Sequence, residues 1–113
     1  MKLFHLSSVQ GLKTLAPLKP TKKDRPRGVY LSFYDHSMSG WYQYFKYNLR
    51  CHTIYQYEVI LEKDCQILFG RDNFGSKEYL RQKAGDIIIN DLPRFHEVVV
   101  KHTIIPVSYS LIL

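Results

Sequence analysis

The feature that most constrains this fold is a stretch at residues 53–61, where aromatic and β-branched residues dominate. Such residues favour extended strands over helices. Shorter segments of similar character recur along the chain, which holds nine Tyr and six Phe in all. We therefore predict a set of short strands, at residues 2–6, 29–33, 53–61, 66–69, 87–89, 97–100 and 107–113.

Two short helices are predicted between these strands. Trp41, Tyr44 and Phe45 recur at helical spacing within residues 37–47, so one face of that helix would pack against a sheet. A second amphipathic helix is predicted over residues 75–83. Strands followed by helices, with a pair of strands at the C-terminal end, predict an α+β fold.

The size and composition of the chain narrow its class. Its 113 residues suffice for a single domain, residues 1–113, with one modest core. No apolar run approaches the ~20 residues of a membrane span, and the start lacks the apolar stretch of a signal peptide. We therefore expect a cytoplasmic protein with no membrane contact. Cys51 and Cys65 lack CxxC spacing, and the five His form no HxxxH pair, so neither a disulfide framework nor a metal site is expected.

The chain is basic, and part of its charge is concentrated. Sixteen Lys and Arg against ten Asp and Glu give a formal net charge of +6. Residues 19–27 contain several of these cations and two prolines, Pro20 and Pro26. This stretch fits a solvated, proline-stiffened loop. It also fits an electrostatic collar that attracts phosphates or an acidic target, and the two interpretations are compatible.

Three separated segments carry a recognisable pattern. They are Leu-Phe-His-Leu-Ser-Ser at 3–8, Gly-Val-Tyr-Leu-Ser at 28–32, and Phe-His-Glu-Val-Val-Val at 95–100. In this order they resemble the His, Tyr and Glu motifs of the diphtheria-toxin/poly(ADP-ribose) polymerase class of ADP-ribosyltransferases. Residues 55–61 and 84–89 are also similar to segments of small bacterial and phage members. The resemblance implies an ADP-ribosyltransferase-like split β-sheet with two or more short helices.

The resemblance also implies that NAD is the co-substrate and that its nicotinamide–ribose bond is cleaved. That reaction has a transition state with oxocarbenium character, which a nearby carboxylate stabilises. By the resemblance, His5 would bind a ribose hydroxyl and the backbone of Leu6 the nicotinamide carboxamide. Tyr30 would stack on nicotinamide and Glu97 would be the catalytic carboxylate. Three further residues would line the same cleft, namely Ser7, Ser32 and Tyr34.

The nature of the acceptor is less constrained. Toxin-like members that modify arginine have an acid or amide two residues before the glutamate, whereas this chain has Phe95, so an arginine acceptor is not expected. The loop over residues 90–96 would face the target, with Arg94, Phe95 and His96 as contact points. The acceptor would be a protein or a nucleic acid. Water in its place would make the enzyme an NAD glycohydrolase.

Two other functions stay open. Leu6 stands where the family commonly has Gly or Thr, which would suit a catalytically degenerate relative that acts as a protein-binding or inhibitory module. The second is a basic nucleic-acid-binding β-domain unrelated to NAD. Its binding surface would consist of exposed tyrosines and four loop cations, Lys22, Lys23, Arg25 and Arg27. The enzyme hypothesis requires that the side chains of His5, Tyr30 and Glu97 belong to one site.

Overall fold

The computed structural model describes residues 1–20, 25–33, 40–73, 76–87 and 97–113. In these residues the chain forms two antiparallel sheets. Their strands are β1 (Lys2–Ser7), β2 (Val29–Leu31), β3 (Tyr55–Ile60), β4 (Gln66–Asn73), β5 (Ser76–Lys83), β6 (Glu97–Val100) and β7 (Ser108–Leu111). The first sheet has the order β1-β3-β7, and the second has the order β2-β6-β4-β5.

A single apolar core joins the two sheets. On the four-stranded sheet, Leu31 lies opposite Val98, and Val98 lies opposite Phe69. On the three-stranded sheet, Leu3 lies opposite Val59. All five side chains are buried and belong to the same cluster. Because alternate residues of a strand point to opposite faces, the other face of the four-stranded sheet carries Tyr30 and Glu97 together with two buried apolar side chains, Val99 and Leu68.

The two sheets meet where β1 passes β2. Phe4 and Ser32 exchange both backbone hydrogen bonds, with N···O distances of 2.9 and 2.8 Å. This is the one bridge between these two strands in the part of the chain that the structure describes, and the pairing does not continue beyond it. The sheets therefore diverge from this point, with β1 on one side and β2 on the other.

The predicted α+β class is wrong, because the described helices are too small to form a layer. The helix predicted over 37–47 is reduced to a single turn, α1 (Gly40–Gln43), which continues as a π-helical turn over Tyr44–Asn48. Residues 37–39 lie outside the described residues. A 3-10 turn at Ala84–Asp86 adds little. In its described residues the chain is an antiparallel β structure with short helical turns.

The helix predicted over residues 75–83 is also wrong. That segment forms β5, which pairs with β4 in register from Gln66↔Lys83 to Asn73↔Ser76. Its Lys, Glu, Arg and Gln residues have good helix propensity, but tertiary pairing overrides a preference of a few tenths of a kcal/mol per residue. Cross-strand packing against a neighbouring strand decides the conformation instead.

Two strand predictions also need correction. The C-terminal strands do not pair with each other, since β6 belongs to the four-stranded sheet and β7 to the three-stranded one. Ile87 is buried but lies outside any strand, and residues 88–89 are not among the described residues. The strand predictions at 2–6, 53–61, 66–69 and 97–100 are confirmed. No helix in the described ranges is long and apolar enough to cross a membrane.

Candidate active site

Three neighbouring strands carry the predicted trio of His5, Tyr30 and Glu97. β2 lies between β1, which it meets at the Phe4–Ser32 bridge, and β6, with which it pairs in register. Tyr30 lies opposite Val99, two residues from Glu97, so Tyr30 and Glu97 point to the same face of the four-stranded sheet. We call this the site face. It is the face opposite to the apolar core.

His5 lies at the junction of the two sheets and contacts the backbone of β2. Its Nδ1 is 2.8 Å from the carbonyl oxygen of Tyr30. Burial lowers the pKa of His5 below its ordinary value of 6.5, and the hydrogen bond to Tyr30 opposes this only in part. The ring is therefore neutral at pH 7. Because a carbonyl oxygen can only accept, the proton is on Nδ1, and Nε2 is left as an acceptor.

The backbone of Leu6 points toward the gap between the sheets. Alternate residues of an antiparallel strand direct their N–H and C=O groups to the same neighbour. Phe4 directs both groups to β2, so Leu6 does the same two residues later, where β2 has diverged. The carbonyl of Tyr30 is already bonded by His5. The N–H and C=O of Leu6 therefore point together toward the side of β2.

Glu97 is a buried carboxylate surrounded by polar groups. Only 3% of its surface is exposed. The hydroxyl of Tyr79 donates to its Oε1 at 2.6 Å. Arg25 Nη1 is 3.9 Å from Oε1, and Lys77 Nζ is 3.8 Å from Oε2. These groups offset the cost of burying a carboxylate, which would otherwise amount to several kcal/mol.

Gly70 allows Tyr79 to reach Glu97. In β4 it lies directly between Glu97 on β6 and Tyr79 on β5. A Cβ atom at this position would lie 2.8 Å from Cε1 of Tyr79 and 3.0 Å from Cγ of Glu97. Both distances are shorter than ordinary van der Waals contacts. The missing side chain thus creates the space through which the two side chains meet across β4.

Tyr79 is a permanent donor in this arrangement. Burial raises the pKa of Tyr79 most, and its hydrogen bond to Glu97 and the negative charge of that carboxylate raise the pKa further. Arg25 opposes these effects to a smaller degree. The phenol therefore stays protonated at every physiological pH.

The structure places the other residues predicted to line the cleft in different surroundings. The hydroxyl of Tyr30 donates to the carbonyl of Pro26 at 2.5 Å, which anchors the ring to the preceding loop. Ser32 is buried at the junction with β1. Ser7 is engaged in a local turn, where its Oγ accepts from the N–H of Val9 at 3.1 Å. The remaining predictions, Tyr34, Arg94, Phe95 and His96, lie outside the described residues.

Comparison of the chain with family models, with curated proteins and with solved structures finds no match. The resemblance to ADP-ribosyltransferases therefore depends on the quoted motifs alone. Within the described ranges, no group of three or more His, Cys, Asp or Glu side chains is placed to hold a metal ion.

Sequence reasoning missed three residues of this site. Tyr79 and Lys77 were assigned to a helix, and Gly70 was not considered. The alternation of cationic or aromatic residues with other residues in Lys-Glu-Tyr-Leu-Arg-Gln-Lys at 77–83 is a period-two signal that could have revealed the strand. The contact of Gly70 depends on strand register, which no local pattern in this segment specifies.

Proposed function

We propose that this protein is an NAD-dependent ADP-ribosyltransferase with Glu97 as its catalytic carboxylate. The observation that carries the proposal is the adjacency of β1, β2 and β6. It sets His5 against the backbone of β2 and leaves Tyr30 and Glu97 on one face. The three motifs lie far apart in sequence but are carried on neighbouring strands. By strand alternation His5 points to the face of Leu3, so it reaches Tyr30 through the backbone carbonyl of β2 and not from the site face.

The polar groups at the junction of the sheets match the groups of NAD. A carboxamide offers one acceptor and two donors, and the N–H and C=O of Leu6 complement it as a pair. The acceptor Nε2 of neutral His5 suits a ribose hydroxyl. The ring of Tyr30 is fixed by its bond to Pro26 and offers a flat surface for nicotinamide. These side chains would bind the co-substrate with little reorganisation.

Glu97 would stabilise the charge that develops when the nicotinamide leaves. The bond between the nicotinamide nitrogen and the ribose breaks, and its electron pair stays with nicotinamide, which departs neutral. Positive charge then develops on the ribose, where the carboxylate stabilises it. An N–H or O–H group of the acceptor forms the new bond to that carbon. Its proton passes to the carboxylate and then to solvent.

Nicotinamide release by Glu97→Gln tests this proposal. Glutamine keeps an acceptor for the hydroxyl of Tyr79 but removes the negative charge, so we expect the rate to fall by about 100-fold or more. Glu78→Gln is the matched control, because it makes the same change on the opposite face of the same sheet. The proposal is wrong if folded wild-type protein neither binds NAD nor releases nicotinamide to water, polypeptides or oligonucleotides.

A second candidate is a catalytically degenerate relative that binds a protein partner. The observation that favours it is the side chain of Leu6, which is buried beside the gap between the sheets. A larger side chain at this position reduces the room for a carboxamide at the same backbone groups. Calorimetry separates the two candidates. No heat on titration with NAD, for wild type and for Leu6→Gly alike, would favour the binding module.

A further inference from the structure

β5 places a row of cations on the same face as Glu97. Register sets Tyr79 opposite Gly70, and Gly70 opposite Glu97, so odd-numbered residues of β5 point to the site face. Lys77, Arg81 and Lys83 alternate with Tyr79 along this face. We call these three cations the β5 cationic strip. Among the described strands β5 is one of the two edges of its sheet, so the strip lies along a border of the site.

The opposite face of β5 has a different character. It carries Glu78, Leu80 and Gln82, and the carboxylate of Glu78 is 3.2 Å from the guanidinium of Arg71. The charges on that face therefore compensate each other. On the site face, Lys83 has only a surface partner, Asp64, at 3.8 Å. Such an exposed pair is weak and is screened by salt. Lys77 lies in register opposite Asp72 and is paired with Glu97, so the excess of positive charge on the site face is contributed by Arg81 and Lys83.

The cationic surface continues on the other side of Glu97. Arg25 approaches the carboxylate from the loop before β2, and Arg27 in the same loop is exposed. Glu97 therefore lies between basic side chains from two separate elements. An extended anionic ligand that follows the strip would run parallel to β6, two strands away from Glu97. A cationic acceptor group would be repelled at the same place.

We propose that single-stranded nucleic acid binds along the β5 cationic strip and is the acceptor of ADP-ribose. The acceptor role rests on the proposed function, whereas the binding does not. Alternate residues of a strand are about 6.7 Å apart, a regular spacing comparable with that of successive phosphates on an extended single strand. Basic grooves that follow a backbone are the common feature of proteins that bind single strands.

An acidic polypeptide is the competing ligand for this surface. Its carboxylates are carried on flexible side chains without a fixed repeat, whereas positions on this face of β5 repeat every second residue, and cations occupy three of the four positions from 77 to 83. Tyr79, opposite Gly70, lies between Lys77 and Arg81 in this row. The site therefore also offers an aromatic side chain beside the cations. Aromatic side chains stack on bases and have no comparable partner in an acidic peptide.

The test measures binding of fluorescein-labelled single-stranded DNA and RNA, each longer than roughly 16 nucleotides, by anisotropy as the salt concentration rises. Each phosphate contact contributes about −0.7 to the slope of log K against log salt for single strands. Removing two contacts with Arg81→Gln/Lys83→Gln should therefore reduce the magnitude of the slope by about 1.4. Lys13→Gln/Lys101→Gln is the control, because both lysines are exposed and the net charge change is identical.

The control should keep the wild-type slope. Equal slopes for the two double variants, or no binding by the wild type, would overturn the proposal. So would polyglutamate that binds as tightly as the oligonucleotides, which would identify an acidic protein as the ligand. Binding is measured without NAD, and nicotinamide release into water without an oligonucleotide, so either activity can fail alone. Arg81→Gln/Lys83→Gln should leave the release into water unchanged.

Discussion

Glu97 is held by groups that the three motifs do not contain. Its strongest partner is Tyr79, two strands away on β5, and the contact exists because Gly70 leaves space on β4. A hydrogen bond to a charged group contributes about 1.5–3 kcal/mol to stability. The catalytic carboxylate of the proposed enzyme therefore depends on a residue that no motif search would select.

Gly70→Ala should lower the free energy of unfolding by about 1–3 kcal/mol, because the new methyl group overlaps Tyr79 and Glu97. Without that overlap, an alanine in a strand would be expected to stabilise the fold slightly. Urea denaturation measures the change. In a Tyr79→Ala background the cost should fall sharply, which a double-mutant cycle detects. An equal cost in both backgrounds would contradict the proposed contact.

We predict that protonation of His5 lowers the free energy of unfolding at mildly acidic pH. Its pKa in the fold lies below the ordinary value of 6.5, so between these two values the unfolded chain binds more protons. The free energy of unfolding should therefore fall as the pH drops below about 6.5, by at most about 1.4 kcal/mol per pH unit. Urea denaturation over a series of pH values measures this slope.

His5→Asn is the control for this pH dependence. The amide N–H of asparagine can donate to the carbonyl of Tyr30 but does not titrate. The variant should lose the part of the slope that His5 contributes below about pH 6.5. An unchanged slope would mean that His5 is not the group responsible, and that its ring is not held neutral at the junction.

Among the elements, strands were predictable where local composition is strong. β3 and β6 consist largely of aromatic and β-branched residues, and both form near the predicted positions. The prediction for residues 75–83 was wrong because these residues favour a helix locally, and only pairing with β4 makes the segment a strand. Both C-terminal strands form, but their predicted pairing is wrong, since sequence proximity suggests a hairpin, whereas β6 is inserted between β2 and β4.

The junction of β1 and β2 was predictable only in part. The motifs select His5, Leu6, Tyr30 and Ser32, but not the way in which these residues separate two sheets. The ring of His5 donates a hydrogen bond to the carbonyl of Tyr30, and the described pairing between β1 and β2 ends at the Phe4–Ser32 bridge. A side chain that replaces a backbone hydrogen bond has no local sequence signal. The motifs therefore select residues for the proposed site but do not predict its geometry.

For the whole molecule, two antiparallel sheets around one core place polar groups where the sheets diverge. The net charge of +6 suggested an anionic partner, and the residues from 19 to 27 were the predicted location. The fold adds a second location on β5, which the helical interpretation had hidden. The proposed co-substrate and the proposed acceptor thus meet at Glu97 from different sides of the site.

The most direct test of the proposed active site is an NMR titration of 15N-labelled protein with NAD. The amide signals of Leu6, Tyr30 and Glu97 should shift together in a saturable manner, because NAD would occupy the gap between β1 and β2. The amide of Ser110, on the far edge strand β7, should not move. Absence of shifts, or shifts confined to residues away from this junction, would contradict the account.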